Sequence, residues 1–301
     1  MYRPKSCKNK QVYFAAACIA SLIISPLACA QSGKPPLEAG GKLLLTRGVS
    51  SIDGSGGGGV VPWALITGNE TERGIGGTTF ATVLELPDYH FMSLGGAVGF
   101  FDRFEVSVAH QEFDTGPTGT LLGIGEGFTF EQNIVGAKLR IVGDAVYDQD
   151  SWMPQIAVGA FYKSADHEGL LTALGAEDNN GLEFYASATK LFLDQSLLIN
   201  GTLRYTDANQ NGLLGFGGQD DASLNPEVSF GYLVNRRLLI GGEYRVKPDN
   251  LAFAKEDDWF DLFAAWAVNE HVTLTAAWAD LGSVATFEDQ RGVYFSLQFG
   301  F

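Results

Sequence analysis

The chain ends Val293-Tyr294-Phe295-Ser296-Leu297-Gln298-Phe299-Gly300-Phe301, and the alternation in this stretch decides the fold. Val293, Phe295, Leu297, Phe299 and Phe301 take every second place, with Tyr294, Ser296, Gln298 and Gly300 between them. Side chains at i, i+2 and i+4 share one face of an extended strand, so the segment reads as a strand with one apolar face. A helix would need apolar spacings of three and four. The same period of two recurs upstream in Val272, Leu274, Ala276 and Trp278, in Phe104, Val106 and Val108, and in Ile156, Val158, Ala160 and Tyr162.

Applied to the whole chain, this rhythm predicts strands at 41–50, 60–67, 77–86, 89–101, 104–113, 128–143, 153–164, 182–192, 196–206, 224–234, 237–247, 259–268, 271–281 and 292–301. The second and third are the weakest, so the expectation is an up-and-down antiparallel meander of 12–14 strands. Asp102-Arg103, Asp194-Gln195, Asn235-Arg236 and Asn269-Glu270 make short polar turns. Longer stretches rich in Gly, Asp and Asn separate the other strands, so short turns fall at one end and long loops at the other. Residues 41–301 are expected to form one domain.

The first 30 residues read differently. Arg3, Lys5, Lys8 and Lys10 precede an apolar stretch from Val12 to Leu27, followed by Ala28-Cys29-Ala30. That order is a cleaved secretory signal peptide, with 31–40 left as a short N-terminal extension. The only cysteines, Cys7, Cys18 and Cys29, fall inside it, which leaves no disulfide framework or cysteine chemistry for the remainder. A formal net charge of −15 argues against nucleic acid as a partner, because phosphate binding needs a basic face.

An exported all-β meander can turn its apolar face inward, as a soluble barrel, or outward to lipid. A barrel of 12–14 strands is too wide to fill with apolar side chains, so a soluble version would lack a core. Trp152, Trp259, Trp266, Trp278 and Tyr244 lie near strand ends, where interfacial girdles fall. The expectation is therefore a transmembrane β-barrel in a Gram-negative outer membrane, with lipid against its outer face. The terminal Val293, Phe295, Leu297, Phe299 and Phe301 resemble the signature by which the barrel-assembly machinery recognises outer-membrane barrels.

Several stretches carry a closer resemblance. Gly41-Lys42-Leu43-Leu44-Leu45-Thr46, Gly56-Gly57-Gly58-Gly59 with Val61-Pro62-Trp63-Ala64-Leu65-Ile66, and Gly143-Asp144-Ala145-Val146-Tyr147-Asp148-Gln149-Asp150 are among them. So are Gly212-Leu213-Leu214-Gly215-Phe216-Gly217-Gly218, Lys247-Pro248-Asp249-Asn250-Leu251 and Thr286-Phe287-Glu288-Asp289-Gln290-Arg291-Gly292. Together they resemble an uncharacterised proteobacterial outer-membrane β-barrel family, a domain of unknown function. The resemblance implies the fold and the location and leaves the substrate open.

The informative polar residues are charges whose parity points them into the lumen: Glu105, Lys138, Arg140, Lys163, Arg204, Glu243, Arg245 and Lys247. A charge on the lipid face would cost roughly 2–4 kcal/mol at mid-depth, so their confinement to one face carries information. They make either a charged constriction that selects solutes or a set of mutually satisfied ion pairs that stiffens the barrel. In an open passage, Lys138, Arg140, Arg204, Arg245 and Lys247 would set a mild anion preference, with the acidic excess in the loops.

Other motifs are weaker. Asp207-Ala208-Asn209-Gln210-Asn211-Gly212 starts like a calcium loop, but Gly218 stands where the twelfth-position Glu belongs. Gly54-Ser55-Gly56-Gly57-Gly58-Gly59 lacks the Lys-Ser/Thr ending of a phosphate cradle and reads as a flexible loop. His90, His110, His167 and His271 form no local catalytic spacing with serine. No metal, cofactor or catalytic residue is expected. The chain reads as a passive porin-like channel for small solutes, with a non-conducting structural or surface-interaction barrel as the alternative and a barrel enzyme a distant third.

Overall fold

A computed structural model describes residues 40–301, so the expected signal peptide and residues 31–39 lie outside the described residues. A two-residue ladder joins β1 (Val49–Ser50) to β2 (Gly56–Gly57). Twelve longer strands follow: β3 (Ile75–Glu85), β4 (His90–Phe100), β5 (Phe104–Asp114), β6 (Thr129–Val142), β7 (Gln155–Ala165) and β8 (Asn180–Phe192). The second half comprises β9 (Leu197–Thr206), β10 (Ser223–Asn235), β11 (Leu238–Arg245), β12 (Trp259–Ala267), β13 (Val272–Asp280) and β14 (Arg291–Gly300). Each pairs antiparallel with its neighbours in sequence, and β14 closes on β3 in a register running from Val293 opposite Glu85 to Gly300 opposite Thr78. Closure leaves no strand edge, which is what a bilayer demands of a β protein.

The outer face follows the period of two. Val293, Phe295, Leu297 and Phe299 on β14 are exposed, as are Leu262, Trp266, Leu274 and Trp278 on β12 and β13. The intervening Tyr294, Ser296 and Gln298 are buried inside. An apolar belt around a closed barrel is a surface that lipid solvates, since soluble chains rarely expose contiguous patches of this kind. One girdle assignment fails: Trp259 points inward and is buried, whereas Trp152, Trp266, Trp278 and Tyr244 are exposed. Trp259 opens β12 two residues before Asp261, and both share the inward parity of the strand.

Connections at one end, 101–103, 193–196, 236–237 and 268–271, are short, with the longer 143–154 among them. At the other end 86–89 is short, while 115–128, 166–179, 207–222, 246–258 and 281–290 are long. Two short helices, Thr118–Leu121 and Glu168–Leu174, and the 3-10 turn Asn209–Gly212 lie in these loops.

The wall has twelve strands, the lower end of the expected 12–14. The expected strands 41–50 and 60–67 are not in it, whereas the one expected at 77–86 is β3. Every residue from 45 to 68 is buried, and their hydrogen-bond partners are the inward side chains of the wall. The N-terminal segment is a plug threaded through the lumen. A barrel too wide for its own side chains is thus filled with chain, and the apolar exterior, not an empty interior, identifies the membrane face.

Candidate functional site: a plugged lumen

The plug carries few side chains long enough to reach the wall, so its backbone does most of the bonding. Two wall carboxylates receive its amides. Glu105 accepts from Gly56 N at 3.0 Å and Thr67 N at 2.8 Å, and Glu243 accepts from Val60 N at 2.8 Å. Lys138 Nζ donates to the carbonyls of Gly56 at 2.7 Å and Leu65 at 2.9 Å, and pairs with Glu105 at 3.1 Å. Gln155 donates to Ala64 O at 2.6 Å, and Ser93 and Gln111 donate to Ile52 O at 2.8 and 2.7 Å. The indole of Trp63 lies fully inside the barrel, its Nε1 donating to Ser229 Oγ at 2.9 Å.

The glycine run makes this approach possible. A Cβ on Gly58 would stand 1.8 Å from Glu243 Oε1, and one on Gly57 would stand 2.5 Å from Val61 O. The expected flexible loop is therefore a close-packed part of the plug. Glycine here serves contact between backbone and wall, not mobility.

Asp53 centres the second network. It pairs with Lys163 at 3.1 Å, Arg204 at 3.1 Å and Arg245 at 3.8 Å. Glu183 pairs with Lys163 at 2.8 Å and Arg204 at 3.2 Å, and Glu227 pairs with Arg204 at 2.6 Å and Arg245 at 3.3 Å. Three cations thus meet three carboxylates. Asn211, at the tip of an inward loop, donates to Asp53 at 2.9 Å and accepts from Lys163 at 2.7 Å and Arg245 at 2.8 Å. Burial alone would raise the Asp53 carboxyl, but Lys163, Arg204, Arg245 and Asn211 outweigh it and hold it well below the usual carboxylate range.

Above the plug, on the long-loop side, lies a cavity of about 370 Å³. Leu84, Phe91, Phe113, Phe130 and Phe263 wall it, loop residues Leu122, Leu213 and Phe253 contribute to its lining, and Ile52, Gly59 and Val60 of the plug reach it from below. An apolar chamber inside a lumen is unusual, since lumen-facing positions of such barrels are ordinarily polar.

Seven of the eight residues expected to face the lumen are buried in it: Glu105, Lys138, Lys163, Arg204, Glu243, Arg245 and Lys247. Lys247 pairs with Glu256 at 3.0 Å, so this carboxylate of the 246–258 loop is turned into the lumen. Arg140 sits at the short-turn end instead, bound to Asp102 and, at 3.1 Å, to Asp144. The expected positive waist is neutralised, because every cation in it has a carboxylate partner. Glu243 is the exception of opposite sign: it faces Asp261 directly across the β11–β12 ladder.

Glu183, Glu227 and Asp261 were legible by the same parity, each lying between two outward residues such as Leu182 and Phe184. Asp53 and Asn211 had no local signal, because both reach the lumen from segments outside the wall. The calcium-like run 207–212 is part of this inward loop: Asn209, Gln210 and Asn211 are buried, and Gln210 N donates to Glu256 at 2.6 Å. Among the histidines, His90 pairs with Glu85, His110 bonds Asn133 at 3.0 Å, His167 packs on Phe128 at 4.8 Å and His271 bonds Gly300 O at 2.9 Å.

The model of a protein family described as "Protein of unknown function (DUF3034)" matches residues 46–298. No curated protein matches the chain. Among solved structures, a KdgM porin in complex with disordered oligogalacturonate is similar at 11% identity, with 74% of this chain and 99% of that one covered and a TM-score of 0.50. An outer membrane channel from Pseudomonas putida F1 is similar at 10% identity, covering 80% and 97%, with a TM-score of 0.48. Outer membrane phospholipase A from Escherichia coli follows at 8%, covering 75% and 92%, with a TM-score of 0.39. At these identities the likeness is one of fold.

Proposed function

This chain belongs to the DUF3034 family, and we propose that it is a porin-like outer-membrane barrel for uptake of small solutes, closed at rest by its own N-terminal segment. One observation carries the reading: residues 45–68 cross the lumen fully buried, bonded along their length to wall side chains. A removable segment fits a passage that opens when the segment moves. Its surroundings in this reading are outer-membrane lipid against the belt and the assembly machinery at β14.

The test is planar-bilayer recording of the refolded chain beside a variant lacking residues 45–68. The intact protein is expected to show no long-lived conductance and the deletion a stable one. A steady ohmic channel from the intact protein would overturn the closed state. Silence from both, with heat-modifiable folded barrel present, would favour the non-conducting structural reading, which the complete pairing of the waist cations also fits.

A further inference from the structure

The chamber above the plug holds three buried polar groups whose hydrogen bonding the fold leaves incomplete. Trp259 Nε1 lacks a hydrogen bond, Asp261 Oδ1 has no donor except the neighbouring carboxyl of Glu243, and the Tyr294 hydroxyl reaches only the hydroxyls of Thr82 and Ser296, which bond each other at 2.7 Å. All three residues line the cavity, and they are only 6%, 4% and 4% exposed. A buried polar atom without a partner costs free energy, and folded proteins leave few of them. Three such groups in one mostly apolar chamber therefore point to something that binds there.

We propose that this chamber is a binding site for a neutral amphipath: an apolar body carrying one hydroxyl group, as in a phenol or a medium-chain alcohol. Size sets the body. At the ~30 Å³ that one water takes up in the liquid, 370 Å³ holds roughly a dozen non-hydrogen atoms. The lining sets its character, with Leu84, Phe91, Phe113 and Phe130 offering nothing to bond. The incompletely bonded groups set the head group. A hydroxyl donates to Asp261 Oδ1 and accepts from Trp259 Nε1 or the Tyr294 hydroxyl, so one group answers both kinds of orphan.

Charge excludes the neighbouring classes. A carboxylate head would meet Asp261 and Glu243, which stand opposite each other on adjacent strands. An ammonium head would meet the cations already stacked on Trp259, with Lys247 Nζ at 4.6 Å and Arg245 Cζ at 5.2 Å from the ring centre. It would also bear a desolvation penalty that one free carboxylate oxygen does not return. The site stands on the chamber alone, whether or not the plug opens, so it fails separately from the conductance experiment.

The test is fluorine NMR on the full mature chain in nanodiscs, with empty nanodiscs as the partition control. The probes are para-(trifluoromethyl)phenol, trifluoromethylbenzene, para-(trifluoromethyl)benzoate and para-(trifluoromethyl)benzylamine. The phenol is expected to bind saturably, the arene about tenfold more weakly for want of the hydroxyl, and the benzoate and the amine not measurably. Asp261→Asn and Tyr294→Phe should each weaken the phenol severalfold and leave the arene unchanged. Ala277→Trp, which fills the chamber from the wall, should abolish binding of both. If that variant fails to form a heat-modifiable barrel, Leu213→Trp fills the same space from a loop and must give the same loss. Benzoate or amine binding as tight as the phenol, or phenol binding that survives a folded chamber-filled variant, would overturn the proposal.

Discussion

Gly57 and Gly58 differ in what an added methyl would strike, and that difference is testable. At Gly58 the first obstacles are the carboxylate atoms of Glu243, a side chain that can swing aside only by releasing Val60 N and Ser229 Oγ. At Gly57 the obstacles are backbone, with Val61 O at 2.5 Å and Pro62 Cα at 2.9 Å, and they cannot step aside without moving the plug. Overpacking of this sort costs typically 1–3 kcal/mol. Gly57→Ala is therefore expected to expose the plug to limited proteolysis more than Gly58→Ala, while the barrel itself stays protease-resistant; equal cleavage would reject the ranking. Asp53 gives the residue-scale pH dependence. Its folded pKa is depressed, so its contribution to docking is present above the ordinary carboxylate range and is lost only as pH falls through the depressed value. The share of plug protection that Asp53 supplies, read as wild type minus Asp53→Asn, should be flat between pH 8 and pH 5. Asp53→Asn, by contrast, leaves three buried cations short of a partner and should loosen the plug across that range, since breaking a buried pair costs about 3–5 kcal/mol. A difference between the two that shrinks to nothing as pH falls from 8 to 5 would show that Asp53 is not the pin. Neither residue announced its role in the sequence: the glycine run looks like a loop, and an aspartate beside it looks like turn chemistry.

Elements were legible wherever lipid imposed a period of two, and misread where it did not. Segments 41–50 and 60–67 are apolar enough to pass for wall strands, yet from Leu45 on their apolar residues are buried inside the barrel, and only Leu43 is exposed. Local pattern records that a residue is buried or lipid-facing and not which of the two applies. The last strand is the clearest case of the opposite kind. β14 shows Val293, Phe295, Leu297 and Phe299 outward, closes the ladder against β3, and is continued by Phe301, whose carbonyl accepts from Gly77 N at 3.0 Å and Asn69 N at 3.1 Å. Barrel closure and the anchor of the plug's end thus meet at the C-terminal residue. Replacing Phe299 and Phe301 with serine should lower the yield of heat-modifiable, membrane-integrated barrel in cells while export across the inner membrane continues. Unchanged yield would separate this terminus from assembly.

For the molecule as a whole, net charge and lumen charge are different quantities. The chain carries −15 overall, but acidic residues such as Asp220, Asp221, Glu288 and Asp289 lie in the long loops, where salt screens them within roughly 8 Å. Inside the barrel, once the plug and Asp53 are gone, five buried cations (Lys138, Lys163, Arg204, Arg245 and Lys247) face six buried carboxylates (Glu105, Glu183, Glu227, Glu243, Glu256 and Asp261), with Lys247 and Glu256 paired to each other. Glu105 retains Lys138, and Glu183 and Glu227 retain Lys163, Arg204 and Arg245, so this balance differs from the anion-selective waist expected from the basic residues alone. What is left without a cation is the Glu243–Asp261 couple, two acids opposite each other that cannot both stay ionised at no cost. The unplugged pore should therefore select weakly, with a slight preference for cations set by that couple. In a salt gradient its reversal potential should lie on the cation side of zero, and Glu243→Gln combined with Asp261→Asn should carry it to the anion side. A reversal potential that the double substitution leaves in place would put the conduction path elsewhere than along β11 and β12, and would remove the chamber above them from any route through the barrel.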